Sequence, residues 1–310
     1  MFWNFNRISA ISASVAATSA LVIALPQSAK ALSAPQINDI ARDITVFISG
    51  TTFDGSTPFG SGFIIAREGN TYTVLTAGHV IRPLDAGTIV APRGGQAYEI
   101  DFDTVVDFGE QGLDLAIVQF ESEEDYEVAT LSPAETSQGQ EVFVSGWPKP
   151  GALGETYEEN ATIRQFTDGR ISTYLNQPVE GYEMGYGNTT REGMSGGPVL
   201  DSGGRVIGVH GLGDTESGDT LESAGMSEAE AAQVADTIKL GTNYAIPIQR
   251  YLQASAVEGI FLDVEVDNAS APDLEGDIAA ASGGDMRDTL DDVNSVLDTV
   301  DRVLDLIRFF

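Results

Sequence analysis

"GSGFIIAREGNTYTVLTAGHV", residues 60–80, decides the fold class. Two apolar, β-branched runs flank "REGN", which reads as a hairpin turn. The pattern repeats outward along the chain. From Phe53 to Gln249, short β-rich runs such as "LDLAIVQF", "QEVFVSGWP", "GRISTY", "SGGPVLDSGGRVIGVHG" and "TNYAIPI" are separated by Gly, Pro, Asn and Asp. Strands do not alternate with long helical patterns, so the reading is an all-β barrel or sandwich and not a set of βαβ units. Thirty-four glycines among 310 residues agree with a turn-dense chain.

The flanks read differently. Residues 1–31 carry Arg7, an apolar Ala-rich run, Pro26 and an A-x-A arrangement at Ala29 and Ala31, which predicts a signal peptide cleaved after Ala31. An uncleaved anchor helix is the alternative. The run is rich in Ser and Thr and only marginally long for a span. Ile37, Ile40, Ala41 and Ile44 then have helical spacing, followed by a strand at "ITVFIS". "SEAEAAQVADTIKL", residues 227–240, predicts a helical insert opened by a capping box of Ser227 and Glu230. Residues 253–286, acidic and turn-rich, read as a linker.

Residues 287–310 read as an amphipathic helix. Leu290, Leu297 and Leu304 recur at heptad spacing, with Val293, Val300 and Ile307 three after each. Such a stripe suits self-association or docking on the chain's own barrels. A membrane-surface role ranks third, because the polar face is mainly Asp.

Composition removes several function classes. The net charge is −31, and loss of the leader with Arg7 and Lys30 takes it to −33. Such a surface repels nucleic acid and anionic membranes. With no cysteine, the chain has no disulfides, thiolate metal sites or Cys nucleophile. Its two histidines, His79 and His210, are too few for a histidine-rich metal site. The acidic linker lacks the spacing of a calcium loop, so no cofactor is expected.

Three residues stand in contexts that together suggest nucleophilic catalysis. Ser195 lies in "TTREGMSGGPVL", residues 189–200, among glycines. A serine hydroxyl needs a base within hydrogen-bond reach, and the base needs an orienting acid. His79 follows a strand and a small-residue turn in "VLTAGHV". Asp114 opens the apolar run in "GLDLAIVQF", where burial demands a partner such as an imidazole N–H. Each has an ordinary structural explanation alone, but the order His, Asp, Ser is harder to dismiss. "GMSGG" also fits the G-x-S-x-G elbow of α/β-hydrolases. That elbow needs a helix after the Ser, and Pro198 blocks one.

"TAGHV", "DLAIV" and "GMSGGPV" together resemble trypsin-like serine proteases of the chymotrypsin fold, in their cysteine-free bacterial branch, over about residues 40–251. The resemblance implies two six-stranded antiparallel β-barrels with the site between them, forming a domain at 32–252. It implies His79 as general base, Asp114 as its orienter, Ser195 as nucleophile, and the Gly193 and Ser195 N–H groups as oxyanion hole. It implies protein or peptide substrates; the leader pattern at residues 1–31 separately predicts export to the periplasm or the medium.

Met194 departs from the animal branch, where an Asp at this position pairs with the new N-terminus. Thr189 stands where a Lys/Arg-specific pocket would have a carboxylate. Thr190 and His210 resemble the pocket of glutamyl endopeptidases, which implies Glu or Asp before the scissile bond. Packing of His210 in the second barrel, with no substrate role, is the alternative. A further alternative is a silent barrel that binds peptides or a partner through its C-terminal helix. A quality-control protease of the HtrA kind normally adds a PDZ domain, for which the about sixty residues after the barrels are too few.

Overall fold

The computed structural model describes residues 31–149, 163–213 and 241–272. The expected leader up to residue 30, the insert 227–240 and the heptad helix 287–310 lie outside the described residues.

The chain enters through helix α1 (Ala34–Ile44), whose N-terminus is capped by the Gln36 side chain accepting from the Ser33 N–H at 3.0 Å. Its apolar stripe buries Ile37, Ala41 and Ile44. Strands β1 (Thr45–Thr51), β2 (Phe59–Glu68) and β3 (Thr71–Ala77) follow, then the short helix α2 (Gly78–Ile81). Next come β4 (Ala86–Val90), β5 (Ala97–Glu99), β6 (Val106–Asp107) and β7 (Leu115–Glu121). The second half contains β8 (Thr130–Leu131), β9 (Glu141–Gly146), β10 (Gln165–Val179), β11 (Tyr182–Tyr186), β12 (Pro198–Leu200), β13 (Val206–Leu212) and β14 (Asn243–Pro247). Helix α3 (Ile248–Val257) and strand β15 (Glu265–Val266) end the described chain.

The strands form two sheets. The first has seven strands in the order β5-β4-β1-β2-β3-β7-β6. The second runs β12-β9-β10-β11-β14-β13, and pairing of β12 with β13 closes these six strands into a barrel; β8 and β15 append to it in parallel. The expected pair of six-stranded barrels is therefore realised as one closed six-stranded barrel and one open, seven-stranded half-barrel. "REGN" makes the expected hairpin, with Glu68 opposite Thr71 and Gly69 at φ 62°.

The unbroken apolar runs have a geometric cause. Successive side chains on a strand point to opposite faces. On β2, Ile64 enters the first sheet's own core while Phe63 and Ile65 enter a second core shared by both sheets. On β7, Ala116, Val118 and Phe120 point inward, and Leu115 and Ile117 face the shared core. Both faces are buried, so polar alternation disappears.

Two segments strap the halves together. The Leu32 N–H donates to the Ser202 carbonyl at 2.9 Å, and α1 packs in the shared core before feeding β1. At the other end, the linker expected from residue 253 is a correction. Helix α3 continues to Val257, with Tyr251 edge-on to Phe108 at 5.8 Å. Beyond it, β15 pairs with β8, and Arg205 binds Asp267 at 2.8 Å. This stretch is acidic and glycine-bearing, yet its backbone finds a free strand edge and its acid finds a buried cation. Among the described residues no helix is long and apolar enough to cross a membrane.

Phe63→Ala removes a fully buried ring from the shared core. It is expected to cost about 3–5 kcal/mol, read as a lower urea midpoint.

Candidate active site

Asp114 sits just before β7 and is 1% exposed. A buried carboxylate is tolerable only when its oxygens are saturated with donors. Here Oδ1 accepts from the His79 backbone N–H at 2.8 Å and from Arg82 Nη1 at 2.9 Å. Oδ2 accepts from His79 Nδ1 at 2.5 Å and from the Tyr182 hydroxyl at 2.7 Å. Burial pushes the Asp114 carboxyl up, but His79, Tyr182 and Arg82 outweigh it and hold it down to about 2. Asp114 is therefore ionised at neutral pH. An ionised carboxylate at Nδ1 fixes the proton of neutral His79 on that nitrogen and leaves the Nε2 lone pair to act as a base.

The local chain explains how His79 gets there. Strand β3 delivers Ala77 beside Leu115, and α2 turns the imidazole toward Asp114. The Gly78 N–H donates to the Asp114 carbonyl at 3.0 Å, which pins the turn to the acid.

Ser195 lies in a tight loop before β12 and is 6% exposed. The Met194 N–H donates to the Arg191 carbonyl at 3.1 Å, and the third residue of this turn, Gly193, has φ 94°. That position demands glycine. Space demands it too, since a Cβ on Gly193 would lie 2.6 Å from the Lys149 nitrogen. The loop is held from the first sheet by Ser61. The Ser61 hydroxyl donates to the Gly193 carbonyl at 2.8 Å, and the Ser61 N–H donates to the Ser195 carbonyl at 2.8 Å. The Ser195 hydroxyl donates to the Gly211 carbonyl at 3.1 Å. Gly211 lies against the Tyr182 hydroxyl that binds Asp114, so a chain of contacts through Gly211 and Tyr182 links Ser195 to the Asp114–His79 pair. A strand, not a helix, follows Ser195, as the sequence reading of Pro198 requires.

Thr190 and His210 lie near one another beside Gly213. A Cβ on Gly213 would find Thr190 Oγ1 at 2.8 Å, Asn243 Oδ1 at 3.2 Å and His210 Cε1 at 3.7 Å. Thr190 Oγ1 donates to Asn243 Oδ1 at 2.7 Å. His210 is 1% exposed and bonds the Tyr186 hydroxyl through Nδ1 at 2.8 Å. Burial drives its pKa down to about 3, against a weaker upward pull from the Tyr244 backbone. The ring is thus neutral at physiological pH. Met194 is fully buried in the second barrel's core with Val142, Val144 and Val199.

Sequence reasoning missed Arg82, Tyr182, Ser61 and Asn243. None sits in a distinctive local pattern. Each acquires its partner across a large stretch of chain, and only the demand of Asp114 for donors signals that such residues exist. Among the described residues no group of three or more His, Asp or Glu side chains is placed to hold a metal ion.

Residues 60–209 match the family described as trypsin-like peptidase domain. The chain is 29% identical to "Serine protease HTRA4" of Homo sapiens over 163 residues, which is 49% of this chain and 30% of that protein. Among solved structures, "HtrA-type protease AlgWS227A with tripeptide" has a TM-score of 0.53 at 20% identity, covering 74% of this chain and 64% of that one. The serine endoprotease from Yersinia pestis has a TM-score of 0.50 at 20% identity, covering 74% and 66%. The chain thus spans less than two thirds of the length of each of these three proteins. These likenesses show a fold shared with HtrA-type proteases, here built as one closed six-stranded barrel and one open seven-stranded sheet.

The buried, neutral state of His210 predicts an acid-sensitive fold. Its folded pKa of about 3 lies below the ordinary value of 6.5, so the unfolded chain binds the extra proton. This stabilisation is complete above pH 6.5 and is lost as pH falls through 3. The slope is at most about 1.4 kcal/mol per pH unit. His210→Asn is expected to flatten the stability–pH curve over this window, measured by urea unfolding at stepped pH.

Proposed function

We propose that this chain, whose residues 60–209 match the trypsin-like peptidase domain family, is an exported serine endopeptidase working through His79, Asp114 and Ser195. The observation that carries the reading is the buried Asp114 carboxylate bonded to both the backbone N–H and Nδ1 of His79. That pairing holds the imidazole in one orientation and one tautomer, which is what a general base requires.

In this mechanism Ser195 Oγ attacks the carbonyl carbon of a peptide while His79 Nε2 takes its proton. The carbonyl oxygen gains negative charge and is received by the Gly193 and Ser195 N–H groups. Gly193 at φ 94°, held by Ser61, sets this loop before substrate arrives, so no reorganisation is needed in the transition state. His79 then hands its proton to the departing amine, leaving an acyl-Ser195 that water hydrolyses through the same base. Export rests on the leader pattern of residues 1–31.

A preference for Glu or Asp before the scissile bond rests on Thr190 and His210 lying near one another beside Gly213. Because burial keeps His210 neutral, a substrate oxygen beside it would be held by hydrogen bonding and not by ion pairing. Glu and Gln peptides are therefore expected to differ in kcat/KM by less than about tenfold, a difference of about 1.4 kcal/mol. Both are expected to exceed Lys peptides.

Activity-based labelling tests the core reading. A fluorophosphonate probe is expected to label the mature protein, and neither Ser195→Ala nor His79→Ala; Ser195→Ala is expected to keep the wild-type thermal midpoint within a few degrees, and His79→Ala to stay folded with a lower one, because it takes a donor from the buried Asp114. A folded wild type that never labels would overturn the reading and favour a binding role for the barrels.

A further inference from the structure

We propose that Arg82 and Tyr182 are the positioning residues of Asp114, seated in volumes that Gly78 and Gly211 leave open. This rests on the reading of Asp114 as the acid of a Ser-His-Asp site.

The two glycines carry the argument. A Cβ on Gly78 would lie 2.4 Å from Arg82 Nη2 and 2.8 Å from its Cζ. A Cβ on Gly211 would lie 1.8 Å from the Tyr182 hydroxyl and 2.4 Å from its Cζ. The Gly211 collision cannot be relieved cheaply, and the Gly78 collision only by moving the Arg82 guanidinium off its partners. Arg82 is fixed at its far side by Asp107, through Nε at 2.8 Å and Nη2 at 3.1 Å. Tyr182 is fully buried and its ring is packed in the shared core. The backbone beside Asp114 is therefore shaped around two donors that local sequence does not announce.

Tyr182 reaches Asp114 because of a turn. Val179 pairs with Tyr182, so β10 and β11 are joined by the two residues Glu180 and Gly181. Both have positive φ, 49° and 89°, as a type I′ hairpin turn requires. The Asp114 N–H donates to the Glu180 carbonyl at 2.9 Å, and the Tyr182 hydroxyl donates to Oδ2 at 2.7 Å. The hairpin of the second barrel thus clamps the acid of the first sheet at its backbone and its side chain.

The two donors also tune the base. Arg82 and Tyr182 draw charge from the carboxylate, which weakens its hold on protonated His79 and lowers the pH at which His79 becomes free to accept a proton. The other charged or titratable groups here are Asp107 and Glu180, which act on Arg82, and the neutral His210, which feels the charge of His79. Removing Arg82 takes a cation from beside Asp114, so the His79 midpoint must rise.

The chain has two histidines, so NMR of the imidazoles can follow both. In a Ser195→Ala background, Arg82→Met is expected to raise the His79 midpoint by about one pH unit, and Tyr182→Phe by a smaller step. Gly211→Ala is expected to reproduce the Tyr182→Phe shift with the tyrosine intact. In the active protein, the same variants are expected to slow fluorophosphonate labelling about tenfold and to move its acidic limb upward. A His79 midpoint unmoved in Arg82→Met and in both of the other variants, with folds intact, would overturn the proposal. A wild type that fails to label would sink the endopeptidase reading instead, while the His79 midpoints would still decide the role of Arg82 and Tyr182.

Discussion

A charge taken out of water organises this molecule. The Asp114 carboxylate is almost completely buried, and stays ionised only because donors from two segments far apart in the chain converge on it. An ion in such surroundings costs several kcal/mol unless it is fully paired. His79 and Arg82 come from α2 and the turn after it, and Tyr182 comes from the second barrel. The requirement to satisfy one carboxylate therefore ties the geometry of the base to the mutual seating of both sheets.

A second set of contacts ties the nucleophile loop to the same frame. Ser61 uses its hydroxyl and its backbone N–H to hold the Gly193 and Ser195 carbonyls, and its hydroxyl also accepts from the Trp147 N–H at 2.7 Å. One serine on β2 thus connects the first sheet to both loops that flank the nucleophile. The shared core supplies the rigidity behind this. Strands such as β2 and β7 bury both faces, so they cannot shift without exposing apolar surface on one side or the other.

Much of this was legible locally. The β character of the runs, the "REGN" hairpin and the helical stripe of α1 follow from periodicity and turn chemistry, which act over a few residues. The contexts of His79, Asp114 and Ser195 were equally visible, because each sits at the end of a recognisable run. Arg82 and Tyr182 were not, since a lone arginine after a helix or a tyrosine after a turn is ordinary until Asp114 is placed beside it. The stretch beyond residue 252 misled for the complementary reason. Its composition is that of a linker, and only a free edge at β8 and the buried Arg205 make it part of the body.

The sequence by itself determined the β-rich class, the order of the three site residues and the strongly acidic surface. These depend on which side chains occur and on spacing along the chain. The tertiary structure decided that one sheet closes and the other stays open, that His210 is neutral, and which groups hold Asp114. Those outcomes depend on burial and on distances between residues far apart in the chain. Desolvation and hydrogen bonding act through space, so they exist only once the fold has brought the groups together.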